Sequence, residues 1–238
     1  MNPRMNPNDP NVVLLELVAN RLGEKLREDL VFVGGAVVGL LITDPALPAI
    51  RPTEDVDLIV QVLALADYHR VEKALTKQGF AHDVSAAAPV CRWRVDNVAV
   101  DVMPTLEKIL GFSNRWYPLA LKTATPVALP SGIVIRLVQA PVFLATKLEA
   151  FAGRGNNDYL FSHDLGDLLS VVDGRETLVA ECLQSDAELR AYLHDWAARL
   201  LGTPAFLEAL PGHLPGDAAS QERLPDLEAK LQRLADLD

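Results

Sequence analysis

Residues 30–60 read LVFVGGAVVGLLITDPALPAIRPTEDVDLIV, two strand-like runs separated by a glycine pair, an apolar segment and a proline-marked loop. Leu30 to Val33 is a short apolar run of strand length, broken by Gly34-Gly35. Ala36 to Ile42 is apolar on every side and reads as a short buried helix. Asp44-Pro45, Pro48 and Pro52 mark a loop ending at Thr53, and Asp55 to Val62 alternates and then turns apolar, as a second strand does. A leading amphipathic helix precedes this stretch, with Val12, Leu15, Val18, Leu22 and Leu26 at helical spacing over residues 11–29.

Downstream, Tyr68 to Gln78 reads as a surface helix followed by Gly79. Val90 to Val95 and Val98 to Met103 flank Asp96-Asn97, a hairpin signal, and Val127 to Leu129 and Ile133 to Leu137 flank a second turn. Helices mixed with antiparallel strands argue an α/β fold built on a mixed sheet. After Val138 only helical patterns remain: Val142 to Ala152, Asp164 to Val172, Glu176 to Leu183, Ala187 to Leu201 and Leu224 to Leu237. The proline- and glycine-rich stretch from Gly202 to Gly216 reads as a linker. The division expected is a sheet domain over 1–138 and a helical domain over 139–238 that closes the active-site cleft.

The 238 residues suffice for a buried core, and half of them are apolar. A formal net charge of −10 has the wrong sign for coating nucleic acid by broad phosphate neutralisation, so any RNA contact needs a local basic patch or bridging metal ions. Cys91 and Cys182 match no metal-ligand spacing and read as reduced thiols. The polar, proline-bearing amino terminus lacks the apolar core of a secretory signal, and Val31 to Ile42 is too short to span a bilayer. The expectation is a cytoplasmic protein without membrane contact.

Three pieces carry the chemistry. Side chains at i and i+2 of a strand share a face, so Asp55 and Asp57 present two carboxylates side by side. Like charges that close are costly unless a cation sits with them. A strand bearing Asp101 alongside would complete an all-oxygen site of the kind Mg²⁺ or Mn²⁺ takes, with phosphates and water filling the remaining positions. Gly34 and Gly35 would let a triphosphate approach backbone amides. On helical spacing, Lys147, Phe151 and Arg154 share a face, either a cationic strip for phosphate or a solvated edge with a packed phenylalanine. Arg51 either holds a phosphate or braces its loop, and Thr53 either reaches a phosphate or caps the turn. Asp164 either orients Lys147 or the acceptor, or caps its helix.

Gly34-Gly35 followed by Arg51-Pro52-Thr53-Glu54-Asp55-Val56-Asp57 resembles the first motif of the AbiEii/AbiGii-type nucleotidyltransferases, within the polymerase-β-like superfamily. The resemblance continues at Asp101, at Lys147-Leu148-Glu149-Ala150-Phe151, at Arg154 and at Ser162-His163-Asp164-Leu165-Gly166-Asp167-Leu168. This chain has the Gly-Gly form of the turn, without the hydroxyl that Gly-Ser members offer, and Ser-His-Asp where Arg-Asp is commoner, which leaves Asp164 and Asp167 as alternatives for the closing acidic residue. The resemblance implies a polymerase-β-like mixed sheet flanked by helices and a C-terminal helical domain. It implies metal-dependent transfer of a nucleoside monophosphate from an NTP, with an RNA or tRNA end as acceptor in a toxin–antitoxin or phage-defence setting and a cognate antitoxin as partner. Asp55, Asp57 and Asp101 would hold metal, Lys147 and Asp164 would join the catalytic group, and Gly34, Gly35, Arg51, Thr53 and Arg154 would bind nucleotide. Nucleotidylation of a protein or small molecule, or a non-catalytic partner-binding module, are the alternatives. On these readings, removing Asp57 or Asp101 leaves the fold intact or slightly stabler, and Lys147→Met barely changes thermal stability.

Overall fold

The computed structural model describes residues 5–237; the first four residues of the polar amino terminus lie outside the described residues. The chain forms two compact units: residues 5–39 with 51–139, and residues 40–50 with 140–237.

The first unit is a seven-stranded mixed sheet flanked by helices. In chain order it carries α1 (Pro10–Asp29), β1 (Leu30–Val33), β2 (Asp55–Val60), α2 (Leu65–Lys77), β3 (Ala81–His82), β4 (Arg92–Val95), β5 (Val98–Pro104), α3 (Glu107–Leu110), α4 (Tyr117–Thr123), β6 (Thr125–Ala128) and β7 (Val134–Leu137). Strand order is β3-β4-β5-β2-β1-β7-β6. β2 and β5 run parallel, as do β1 and β7, and every other pairing is antiparallel. A 3₁₀ turn, Gly35–Val37, follows β1 and leads into a short α-helical turn, Val38–Leu41, where the sequence pattern suggested one continuous short helix.

Local chemistry accounts for these elements. Asp9 caps α1 by accepting from the amides of Asn11 and Val12, and Pro10 stands where its missing N–H costs nothing. Val12, Leu15, Val18, Ala19, Leu22 and Leu26 are buried along one face, and Gly23, at φ +71°, interrupts the helix near its end. Asp96 and Asn97 both have positive φ, 46° and 68°, which is the twist a two-residue hairpin needs. That turn sets the register of β4 on β5. The Asn114 side chain accepts from the Trp116 amide, and Trp116 and Tyr117 are buried.

The second unit is helical: α5 (Ala140–Arg154), α6 (His163–Gly174), α7 (Leu178–Leu183), α8 (Ala187–Leu201), α9 (Pro204–Ala209), α10 (Ala218–Gln221) and α11 (Leu224–Ala235). Residues 40–50 belong to it because their backbone is bonded there. The amides of Thr43 and Asp44 both donate to the Gly174 carbonyl at 2.9 Å, and Arg175 donates to the Leu41 carbonyl at 2.6 Å. Arg223 spans Asp173 and Asp44 at 2.8 and 2.7 Å. A Cβ on Gly174 would stand 2.7 Å from Leu47 and 2.8 Å from Ile42, so only glycine lets this loop pack so closely.

The stretch from Gly202 to Gly216 is not a linker. Pro204 opens α9, a 3₁₀ turn follows at Leu210–His213, and Phe206 and Leu210 are fully buried. Pro204 and Pro211 sit in the first turn of their helices, where they are compatible with helix, and Phe206 and Leu210 are one helical repeat apart. Cys91 and Cys182 are buried free thiols, and burial pushes both up to about 12. Among the described residues no helix is long and apolar enough to cross a membrane.

Candidate functional site

β2 and β5 align Asp57 directly with Asp101, and β5 and β4 align Asp101 with Arg92. Directly opposed residues on neighbouring strands share a face, so Asp57, Asp101 and Arg92 stand abreast across three strands. Asp55, two residues before Asp57, shares that face. Asp101 is buried within the fully buried β5, whereas Asp55 and Asp57 are partly open to solvent.

The glycine turn supports Asp57. Gly34 has φ +74°, and a Cβ there would fall 1.8 Å from Asp57 Oδ2, so the carboxylate lies directly on the glycine backbone. Gly35 begins the 3₁₀ turn; of the pair, Gly34, at positive φ, is the one whose backbone demands glycine. Gly34→Ala is expected to cost about 1–3 kcal/mol through backbone strain alone, and also to push Asp57 aside. Urea unfolding gives the first quantity; any transfer activity should fall with the second even at temperatures where the variant is fully folded.

Arg51 and Thr53 are arranged by a residue that sequence reading passed over. The buried Asn11 side chain donates to the Arg51 carbonyl at 3.1 Å and accepts from the Thr53 amide at 2.9 Å. The Thr53 hydroxyl lies 3.3 Å from Asn11 Oδ1 and 3.2 Å from the Asp55 carbonyl, so in this arrangement it closes the turn into β2.

Arg92 is the second missed residue, and the most consequential. Its Nε and Nη2 donate to the two oxygens of Asp101, each at 2.8 Å, and Nη2 also donates to Asp55 Oδ2 at 2.6 Å. The hydrogen bonds to Asp101 and the charges of both carboxylates raise its pKa further above its ordinary value. The signal for it lay in the hairpin: a two-residue turn at Asp96-Asn97 pairs Val95 with Val98 and therefore Arg92 with Asp101.

The second unit gathers the remaining charged candidates. Lys147 Nζ lies 2.6 Å from Asp167 Oδ2 and 3.3 Å from Asp164 Oδ1, and all three side chains are buried. Arg154, itself 73% exposed, forks onto Asp164 with two bonds of 2.9 Å. Lys147 and Arg154 thus meet on Asp164, the lysine inside the ion cluster and the arginine reaching the surface, while Phe151 is buried against Tyr159 and Trp196. Helix α5 is buried from Ala140 to Leu148, so a lysine on it is drawn to internal carboxylates rather than to solvent. Ser162 caps α6, accepting from the Leu165 amide at 3.4 Å, which leaves Asp164 to the cluster.

Burial opposes ionisation of Asp164, but the hydrogen bonds of Arg154 and the charge of Lys147 outweigh it and hold the carboxyl below 3.8. A carboxyl depressed in the folded state contributes stability that is complete above its unfolded value and is lost as pH falls through the folded one. Asp164→Asn should therefore melt lower than the parent at neutral pH. The gap should narrow below about pH 4, followed by thermal melts from pH 7 to 2.

As a metal centre the sheet cluster fits by donor chemistry: carboxylate oxygens of Asp55, Asp57 and Asp101 on one face, with Asp57 held by a glycine turn. As the side chains lie, no three such groups among the described residues converge on an ion position. The Arg92 guanidinium is drawn to both Asp55 and Asp101.

No family model matches the chain, and no curated protein matches it. Among solved structures, JHP933 from Helicobacter pylori is similar over 95% of this chain and 92% of that one, at 13% identity and a TM-score of 0.48. A candidate nucleotidyltransferase from H. pylori is similar over 93% of each chain, at 12% identity and a TM-score of 0.43.

Proposed function

We propose that the sheet unit is a metal-dependent nucleotidyltransferase of the polymerase-β-like kind, moving a nucleoside monophosphate from an NTP to an acceptor hydroxyl and releasing pyrophosphate. The observation that carries this reading is the alignment of Asp57 with Asp101 on adjacent parallel strands, with Asp55 on the same face and Asp57 seated on Gly34. Asp55, Asp57 and Asp101 would hold Mg²⁺ or Mn²⁺, which when bound neutralises charge on the phosphates. As ligands of that ion Asp55 and Asp57 would set where the phosphates lie, and Asp101 would take up the proton of the attacking hydroxyl. The oxygen–phosphorus bond to the acceptor forms as the bond to pyrophosphate breaks.

An RNA or tRNA end as acceptor, and a cognate antitoxin as partner, are supported by the motif resemblance from Gly34 to Asp167. Incubation with each α-labelled NTP, Mg²⁺ and total tRNA is expected to place label in the RNA, and chelator to prevent it. Label in protein or a small molecule instead would redirect the acceptor. No label from any NTP with any of the three acceptor classes, in a folded sample, would refute the transferase reading.

A further inference from the structure

The oxygens best placed to ligate a cation are already engaged by one. Asp55 Oδ2 and Asp101 Oδ2 both accept from the same Arg92 nitrogen, at 2.6 and 2.8 Å, so a single Nη2 sits between the two carboxylates. The Asp101 fork is closed by Nε on the other oxygen. Without a cation, two carboxylates brought together on one face of adjacent strands would repel, and the guanidinium removes that cost. The side chain is 24% exposed, so its head can leave for solvent while its backbone stays paired in β4.

We propose that Arg92 is a tethered counter-ion of this cluster, competing with a divalent cation for Asp55 and Asp101, so that metal entry requires the guanidinium to let go. It is a positioning residue: in the absence of metal it holds the two carboxylates in place, and it sets the metal concentration at which the site fills. This rests on the metal-dependent reading above, and goes beyond it by making metal affinity a property of β4.

Mn²⁺ alone, titrated calorimetrically into nucleotide-free protein, tests it. Arg92→Met is expected to bind Mn²⁺ at least tenfold more tightly than the parent. The control is Arg94→Met, which removes an equal charge two residues along the same strand, from a residue paired with Asp83 at 3.2 Å. That variant should change affinity less than twofold. Arg92→Lys, with its charge but no fork, should fall between and covers the case in which Arg92→Met does not fold. Adding Asp55→Ala to Arg92→Met should abolish the gain. Equal affinities in Arg92→Met and Arg94→Met, with Mn²⁺ still bound by the parent, would overturn the competition and leave the metal site standing. A gain that survives Asp55→Ala places the ion elsewhere and also overturns it. No Mn²⁺ binding in parent, Arg92→Met or Arg92→Lys would overturn both the competition and the metal-dependent reading.

Discussion

Asp57→Ala is expected to lower nucleotidyl transfer by several powers of ten while the protein stays folded. Asp57 lies between Gly34 on one side and Asp101 on the other, at the centre of the carboxylate face. On the proposed metal-dependent reading its removal would delete a metal ligand, and loss of a metal clamp removes both charge neutralisation and alignment at the phosphates. The loss should appear in kcat as much as in nucleotide affinity, because the lost interaction strengthens as charge shifts in the transition state. Single-turnover transfer with labelled NTP, beside a thermal melt without metal, measures the two halves. Near-normal turnover would take Asp57 out of the machinery. Asp101→Ala should behave differently from what carboxylate repulsion alone suggests. It strips the Arg92 guanidinium of its two-bonded partner while the single bond to Asp55 remains, so this variant should lose stability rather than gain it.

The second large effect is on stability. Lys147→Met should destabilise the helical unit by about 3–5 kcal/mol, the usual cost of removing one member of a buried ion pair. Methionine fills a similar volume, so the loss is electrostatic: Asp167 and Asp164 remain buried while the lysine's contacts to them, at 2.6 and 3.3 Å, are gone. A drop of roughly 15–20 °C in the unfolding of that unit is the expected scale. Adding Asp167→Asn should restore part of it, because one of the two buried carboxylates facing the lost lysine is then neutral. A Lys147→Met melt indistinguishable from the parent would mean that the lysine is solvated in solution and would return it to the exposed-strip reading. The expectation from helical spacing was that stability would barely move; burial of the whole Ala140–Leu148 face reverses it.

The sequence by itself determined what depends on neighbours along the chain. The cap at Asp9 and the apolar repeat of α1, the strand at Leu30–Val33, the Asp96-Asn97 turn and the carboxylate pair Asp55/Asp57 are all local patterns, and the mixed sheet followed from their order. Where composition misled, the cause was also local: prolines and glycines between Gly202 and Gly216 mark helix ends as readily as linkers. Only the tertiary structure decided the contacts that link distant segments. The parallel register of β2 on β5 set Asp57 beside Asp101 across more than forty residues of chain. The sheet then placed Arg92 among the acids, and packing turned Lys147 inward and bound residues 40–50 to the helical unit. A side chain's charge is written in the sequence, but its partner is chosen by which opposite charge is brought within reach as both lose water, and that choice belongs to the folded chain.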